Sequence, residues 1–521
     1  MVARVSQSFY SKELIQKNSA RAASLPAPVG GWNARDSLAN MDAMDAIEMI
    51  NMFPAPSALT MRGGYSKHAT GLDGNVQTIM VYSAGATTKM FAATSNGKIY
   101  DVTNPGAVGA PVVTGLSSGA FEYVNITTAG GSFLMAVNGV DTPILYNGTT
   151  FSAPAITGVT LTSLSNITLF KNRIWFIEKN SLKAWYLPTS SIGGAASLFD
   201  FSTVCRNGGY LVDFDSWTGD AGYGSDDNLV IITSEGEVIA YRGTNPDSSS
   251  TWALIGIWAL GAPVSQRCLY KWAGDLLMLT YDGLVPMSEA MRADRTNSAA
   301  ALSDKIQGAI STATEKYGGS TNGWQIFYSP KNDALWINVP ISSAGQEQYV
   351  MNTITNSWCR FQGWKAFCWE LFNNDPYFGG NGFVAKAWDT GKYSDDGANI
   401  TTKTLQAFNH FEARGIFKTF TRAKPTFFSP GSPTIQVGIN VDYNVSDTTA
   451  PLSAPPVSKS LWNTAVWDDS TWYGDEQVIS PWVGLTGQGS CGAIQVKTAS
   501  NGISLQWAST SVLYQQGWPG A

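Results

Sequence analysis

Paired carboxylates are the residues of this chain best equipped for chemistry. Asp213 and Asp215, Asp226 and Asp227, Asp395 and Asp396, and Asp468 and Asp469 each bring two acids within two residues of one another. Hydrolysis of a glycosidic bond needs two carboxyls several ångströms apart across a cleft. Neighbours on a polar loop do not imply that spacing, so each pair reads as a solvated turn. The stretch Asp213–Asp227 offers oxygen atoms of the kind calcium takes, but its spacing follows no EF-hand loop, and it reads as an acidic loop tip. The sialidase Asp box, S-x-D-x-G-x-T-W, is not present; Ser248–Trp252 shares only its tail.

Other chemistries have less to build on. The only histidines are His68 and His410, which leaves little for an imidazole-based metal site or triad. Cys205, Cys268, Cys359, Cys368 and Cys491 are odd in number, widely spread and without a C-x-x-C pair. They read as buried free thiols rather than a disulfide or zinc framework. There is no G-x-S-x-G elbow and no G-x-x-x-x-G-K-[ST] phosphate loop. Gly379-Gly380-Asn381-Gly382 precedes a strand, not a helix, and reads as a turn. Trp462, Trp467 and Trp472 recur every five residues. They suit a sugar-stacking platform or, since odd spacing alternates faces of a strand, the packing of a thin β domain. No catalytic, metal or cofactor-binding residue is expected.

Composition points to the scaffold. Among 521 residues are 19 Trp, 20 Tyr, 23 Phe and 52 Gly, with charged residues at 14%. An average soluble domain carries about 25% charged residues. Many aromatics, many glycines and few charges suit short strands joined by turns, and a surface meant for partners. The net charge of −6 advertises no nucleic-acid-binding face. No run of about 18 apolar residues predicts a membrane span, and the first residues lack the apolar core of a secretory signal. Arg4, Lys12, Lys17 and Arg21 against the single acid Glu13 read as a short basic arm, helical over 8–23, that docks on a neighbour.

The positioning elements are hairpins. In Asn228–Gly243, NLVIITSEGEVIAYRG, a β-branched run turns at Glu235-Gly236 and returns through Val238, Ile239 and Tyr241. Relatives recur with turns at Asn96-Gly97, Asn138-Gly139, Lys179-Asn180, Asp282-Gly283 and Asn381-Gly382. Six intervals separate Gly97 from Gly382, giving roughly 47 residues per unit, as four-stranded propeller blades require. Longer loops are expected over 199–227 and 288–322, the latter with a helix over 299–313. Asp42 is expected to cap a helical turn through Met49. After Ile400, TIQVGINVDY alternates as a half-buried strand. The expected fold is all-β: a propeller of six or seven blades over 73–399, an N-terminal arm and following segment over 1–72, and a β-sandwich-like domain over 400–521.

Several stretches carry a resemblance: GGWNARDSLANMDAMDAIEMINMFP, MRGGYSKHATGL, LFKNRIWFIEKNSLKAWYLP, DNLVIITSEGEVIAYRGTNP and WNTAVWDDSTW. Together they resemble structural proteins of tailed phages, closest to the nozzle, or packaged-DNA-stabilising tail protein, of short-tailed phages. The resemblance implies a virion protein made in the host cytoplasm. It implies a homo-hexameric ring below the portal and head–tail adaptor, touching tail fibre or spike proteins. Such a ring retains packaged DNA and conducts it during ejection, without sequence-specific binding and without a cofactor. Six copies at −6 each give −36, a lumen that would repel phosphates and let the duplex slide. Trp32, Arg35, Met49 and Phe53, with Trp462, Trp467 and Trp472, are the expected interface residues. Two alternatives remain: a carbohydrate-active propeller enzyme such as a capsule depolymerase, and a host-glycan-binding adhesion module using the Trp-rich segment.

Overall fold

The computed structural model describes residues 20–218, 227–292, 301–319, 323–342, 345–389, 391–447 and 476–517. The chain divides into two compact units. One comprises residues 66–349 and 364–387. The other gathers residues 1–65, 350–363 and 388–521.

The first unit is a propeller of successive antiparallel meanders, seven of which can be followed among the described residues. The innermost strand of the first is the second half of Tyr65–Ala84. Those of the next three are Glu122–Thr128, Leu164–Phe170 and Leu211–Trp217. The last three begin with Leu269–Trp272, Gln325–Ser329 and Cys368–Phe372. Each strand pairs with the next in sequence, as in Leu211–Trp217, Asn228–Thr233, Glu237–Gly243 and Trp252–Ala259. Apolar clusters lie between successive sheets. Met80, Phe91, Phe121 and Leu134 join the first two meanders, and Met135, Val137, Ile174 and Phe176 the next pair. Trp175, Phe214, Ile231 and Trp252 join the third and fourth. A sheet hydrophobic on both faces must be covered on both, and stacking around an axis does so.

Closure depends on one long strand. Tyr65–Ala84 pairs first with the outer strand of the last meander, Asn381–Ala387, and then with Thr87–Thr94 of the first. Between these two roles it passes Gly71 and Gly74, at φ +85° and +94°, a backbone turn that side-chain-bearing residues resist. The cluster Ala69, Leu72, Val76, Met90, Cys368 and Val384 seals this junction.

The second unit holds two sheets. Gln506–Gln516 pairs with Arg21–Pro26 on one side and Lys418–Ser429 on the other. In the other sheet Asp45–Ile50, Ile400–Gln406, Gly492–Ser500 and Thr434–Val441 lie in order. A Cβ on Gly492 would stand 2.8 Å from Ile439 and 2.9 Å from the Phe420 ring, so the two sheets meet face to face there.

Several expectations change. Residues 20–65 are not an arm apart from the C-terminal domain; they contribute strands to its two sheets. Asp45–Ile50 is a strand, not a helical turn, because strand partners on both sides satisfy its backbone. Residues 8–19 of the expected helix lie outside the described residues, and Arg21–Pro26 is a strand. The helix expected over 299–313 runs over Gln307–Tyr317, after a 3-10 turn at Asp304–Ile306. Trp358–Phe361, read as an outer propeller strand, falls in the second unit, where Arg360 pairs with Ile50. The loop expected over 199–227 contains the propeller strand Leu211–Trp217.

Candidate functional site

That last difference relocates the acids. In a strand whose residues alternate faces, Asp213 and Asp215 point the same way. Here they point to the propeller axis, where a cavity of about 360 Å³ is lined by residues from the innermost strand of all seven meanders. Asp213 is 8% exposed and accepts from Asn166 Nδ2 at 2.8 Å, the Leu269 amide at 3.0 Å and the Phe214 amide at 2.8 Å. Burial pushes its carboxyl well above the usual carboxylate range and the charge of Glu122 adds to this, while the bonds from Leu269 and Asn166 oppose it. Asp215 accepts from Thr168 Oγ1 at 3.3 Å and pairs with Lys271 Nζ at 2.8 Å.

Three further charged groups face the cavity. Arg267 donates through Nε to Glu122 Oε1 at 2.6 Å, and through Nη2 to Thr78 Oγ1 at 2.8 Å and the Phe121 carbonyl at 2.7 Å. It stands at the head of the fifth meander and its partners belong to the first two, so the guanidinium bridges across the axis. Glu370 accepts from the Tyr123 hydroxyl at 2.8 Å and the Leu371 amide at 3.0 Å. Protein surrounds Glu370 although it faces the cavity, and burial raises its carboxyl from 4.5 to about 7; the Tyr123 bond and Arg267 oppose the rise.

Side chains also tie neighbouring inner strands together. Thr78 Oγ1 accepts from the Phe121 amide at 2.9 Å, and Asn125 Nδ2 donates to the Val81 carbonyl at 2.8 Å. Tyr270 accepts from the Tyr328 amide at 3.2 Å, and Gln325 makes two 2.9 Å bonds with the Trp369 backbone. Parallel inner strands too far apart for a backbone ladder are thus joined by side chains, and their buried polar groups are satisfied.

The remaining acids and the expected interface residues are scattered. Asp227 binds Lys171 and Thr218. Asp395 pairs with buried Arg62. Glu237, beside the hairpin turn, is buried and accepts from the Arg206 and Asn207 amides at 3.0 Å. Among the expected interface residues, Trp32, Met49 and Phe53 are buried rather than presented on a surface. Phe53 packs edge-on against Trp388, and Arg360 lies over Trp32. Arg35 is exposed and paired with Asp36. Asp226, Asp468, Asp469, Trp462, Trp467 and Trp472 lie outside the described residues. Among the described residues no group of three His, Cys, Asp or Glu side chains could hold a metal ion, and no helix is long and apolar enough to cross a membrane. The five cysteines are free thiols, four of them buried.

Sequence reasoning missed Glu122, Arg267, Lys271 and Glu370. Their signal was present: each lies at or beside the start of a repeat's first apolar strand, as do Asn166 and Asp213.

No family profile matches the chain, and no curated protein matches it. Among solved structures it is similar to the WD40 β-propeller domain of Doa1, at 12% identity over 62% of this chain and 96% of that one, with a TM-score of 0.39. It is also similar to the β-propeller domain of Myceliophteria thermophila Cps50 (Swd1), at 11% identity over 63% and 100% of the two chains, with a TM-score of 0.40. The computationally designed protein Ika8 matches at 12% identity over 62% and 100%, with a TM-score of 0.36. The propeller assignment stands on this chain's own strand pairing.

Proposed function

We propose that the protein is a structural subunit of a phage tail, a nozzle component that assembles into a ring, retains packaged DNA and conducts it outward. Sequence resemblance in the leading segment and two blades motivates the reading. The observation that carries it is the use of the axial acids. Asp213, Asp215 and Glu122 hold neighbouring or opposite inner strands together, as a load-carrying frame requires. The Arg267 bridge also crosses the propeller's own axis, so a duplex would pass through a lumen formed between subunits. In that setting the hexamer, adaptor and tail fibre contacts implied by the resemblance follow as parts of the same proposal.

Solution mass measurement combined with particle imaging tests it. The expected result is a closed ring of several copies, alone or on addition of tail partners. A 55.9 kDa monomer that persists with tail partners present overturns it.

A further inference from the structure

The axial cavity has a chemistry that a frame does not need. Arg267 reaches across it through bonds to Glu122, Thr78 and Phe121. The side chains of Arg267 and Glu122 are 19% and 27% exposed, whereas that of Lys271, two strand positions beyond Leu269, is 47% exposed. The cavity is therefore a well that opens beside Lys271. At about 360 Å³ it falls at the low end of the roughly 300–1,000 Å³ typical of small-molecule sites.

We propose that this well binds a neutral saccharide unit, held by Glu370 and Lys271 against the ring of Tyr270. Sugar hydroxyls donate and accept at once, and the well offers both functions side by side. Glu370 accepts two bonds; ionised it keeps lone pairs free, and protonated it adds an O–H donor. The ion pair with Asp215 engages one of the three N–H donors of Lys271. Tyr270 lines the same wall and supplies an apolar surface for a sugar's C–H face.

Charge argues for a neutral ligand. Arg267 and Lys271 are already balanced by Glu122 and Asp215. The two remaining acids, Asp213 and Glu370, are both pushed toward their protonated forms by burial. A phosphate or carboxylate would find no unbalanced cation, and a metal ion would find no three-ligand cluster among the described residues. The inference is independent of the assembly proposal.

The test uses the full chain and individual neutral mono- and disaccharides, with saturation-transfer NMR and calorimetry as readouts. At least one sugar should bind saturably. Glu370→Gln and Lys271→Met should each weaken that binding at least about tenfold, a change of about 1.4 kcal/mol. Circular dichroism establishes that both variants are folded; should Glu370→Gln fail to fold, Lys271→Met, at an exposed position, decides alone. Absence of saturable binding overturns the proposal, as does binding that survives Lys271→Met. Loss of binding on Trp467→Ala, with Lys271→Met unaffected, places the sugar elsewhere and overturns it too. Equal displacement by inorganic phosphate or by an alkylammonium ion would show charge recognition, contrary to the proposal.

Discussion

Arg267 and Glu122 are 145 residues apart and meet at 2.6 Å across the propeller axis. The same guanidinium bonds the first meander through Thr78, so a single side chain joins three meanders. Breaking one partner of a sheltered ion pair leaves the other charge in poor surroundings. Arg267→Met should therefore destabilise the propeller by about 3 kcal/mol in denaturant titration. Replacing both groups, Arg267→Met with Glu122→Gln, should restore part of that loss. A double variant that loses the sum of the two single effects would show that the pair is not coupled.

Glu370 gives the propeller a pH dependence of definite sign. Its carboxyl titrates at about 7 when folded, against 4.5 as the ordinary value. Between those values the folded state holds the proton more tightly than the unfolded chain. Stability from this group is fully present below about 4.5 and is lost as pH rises to about 7. Glu370→Gln removes the effect. Its urea midpoint, relative to the parent protein, should rise from pH 5 to about pH 7 and level off above that, and a constant difference would contradict this origin.

Gly236 turns the hairpin Asn228–Gly243 at φ +79°, with the position of a Cβ only 2.3 Å from the Leu260 carbonyl oxygen. Neither the backbone angle nor the space admits alanine. Gly236→Ala should cost more than about 2 kcal/mol. Gly85, at φ +59° with nothing within 4 Å, is the comparison. There Gly→Ala should cost only about 1 kcal/mol. Thermal unfolding of the two variants separates the effect of contact from that of backbone angle.

In the second unit Arg62 is fully buried and makes at least five side-chain hydrogen bonds. They go to Asn51, Gly63, Gln362 and both carboxylate oxygens of Asp395. A lysine has three donors on one nitrogen and cannot reproduce this fork. Arg62→Lys should destabilise that unit by about 2–4 kcal/mol. Hydrogen exchange should speed up in Asp45–Ile50 and Ile400–Gln406, while the inner propeller strands keep their protection.

Local patterns determined a great deal. Apolar and β-branched runs closed by glycine turns identified the strands, because alternation and positive φ are properties of a few adjacent residues. The steady repeat identified the propeller class, because each blade carries the same pattern. Free thiols followed from cysteine number and spacing. What the tertiary structure decided were relations between distant residues. Asp45–Ile50 became a strand because partners hundreds of residues away supplied its hydrogen bonds, against a local capping signal. The strands before residue 65 and those after residue 388 share one unit because sheet edges need pairing, and no local pattern records which strand supplies it. Asp213 and Asp215 looked like solvated turn residues in one dimension. Only ring closure turns their strand inward and sets Glu122, Arg267 and Glu370 around the same axis.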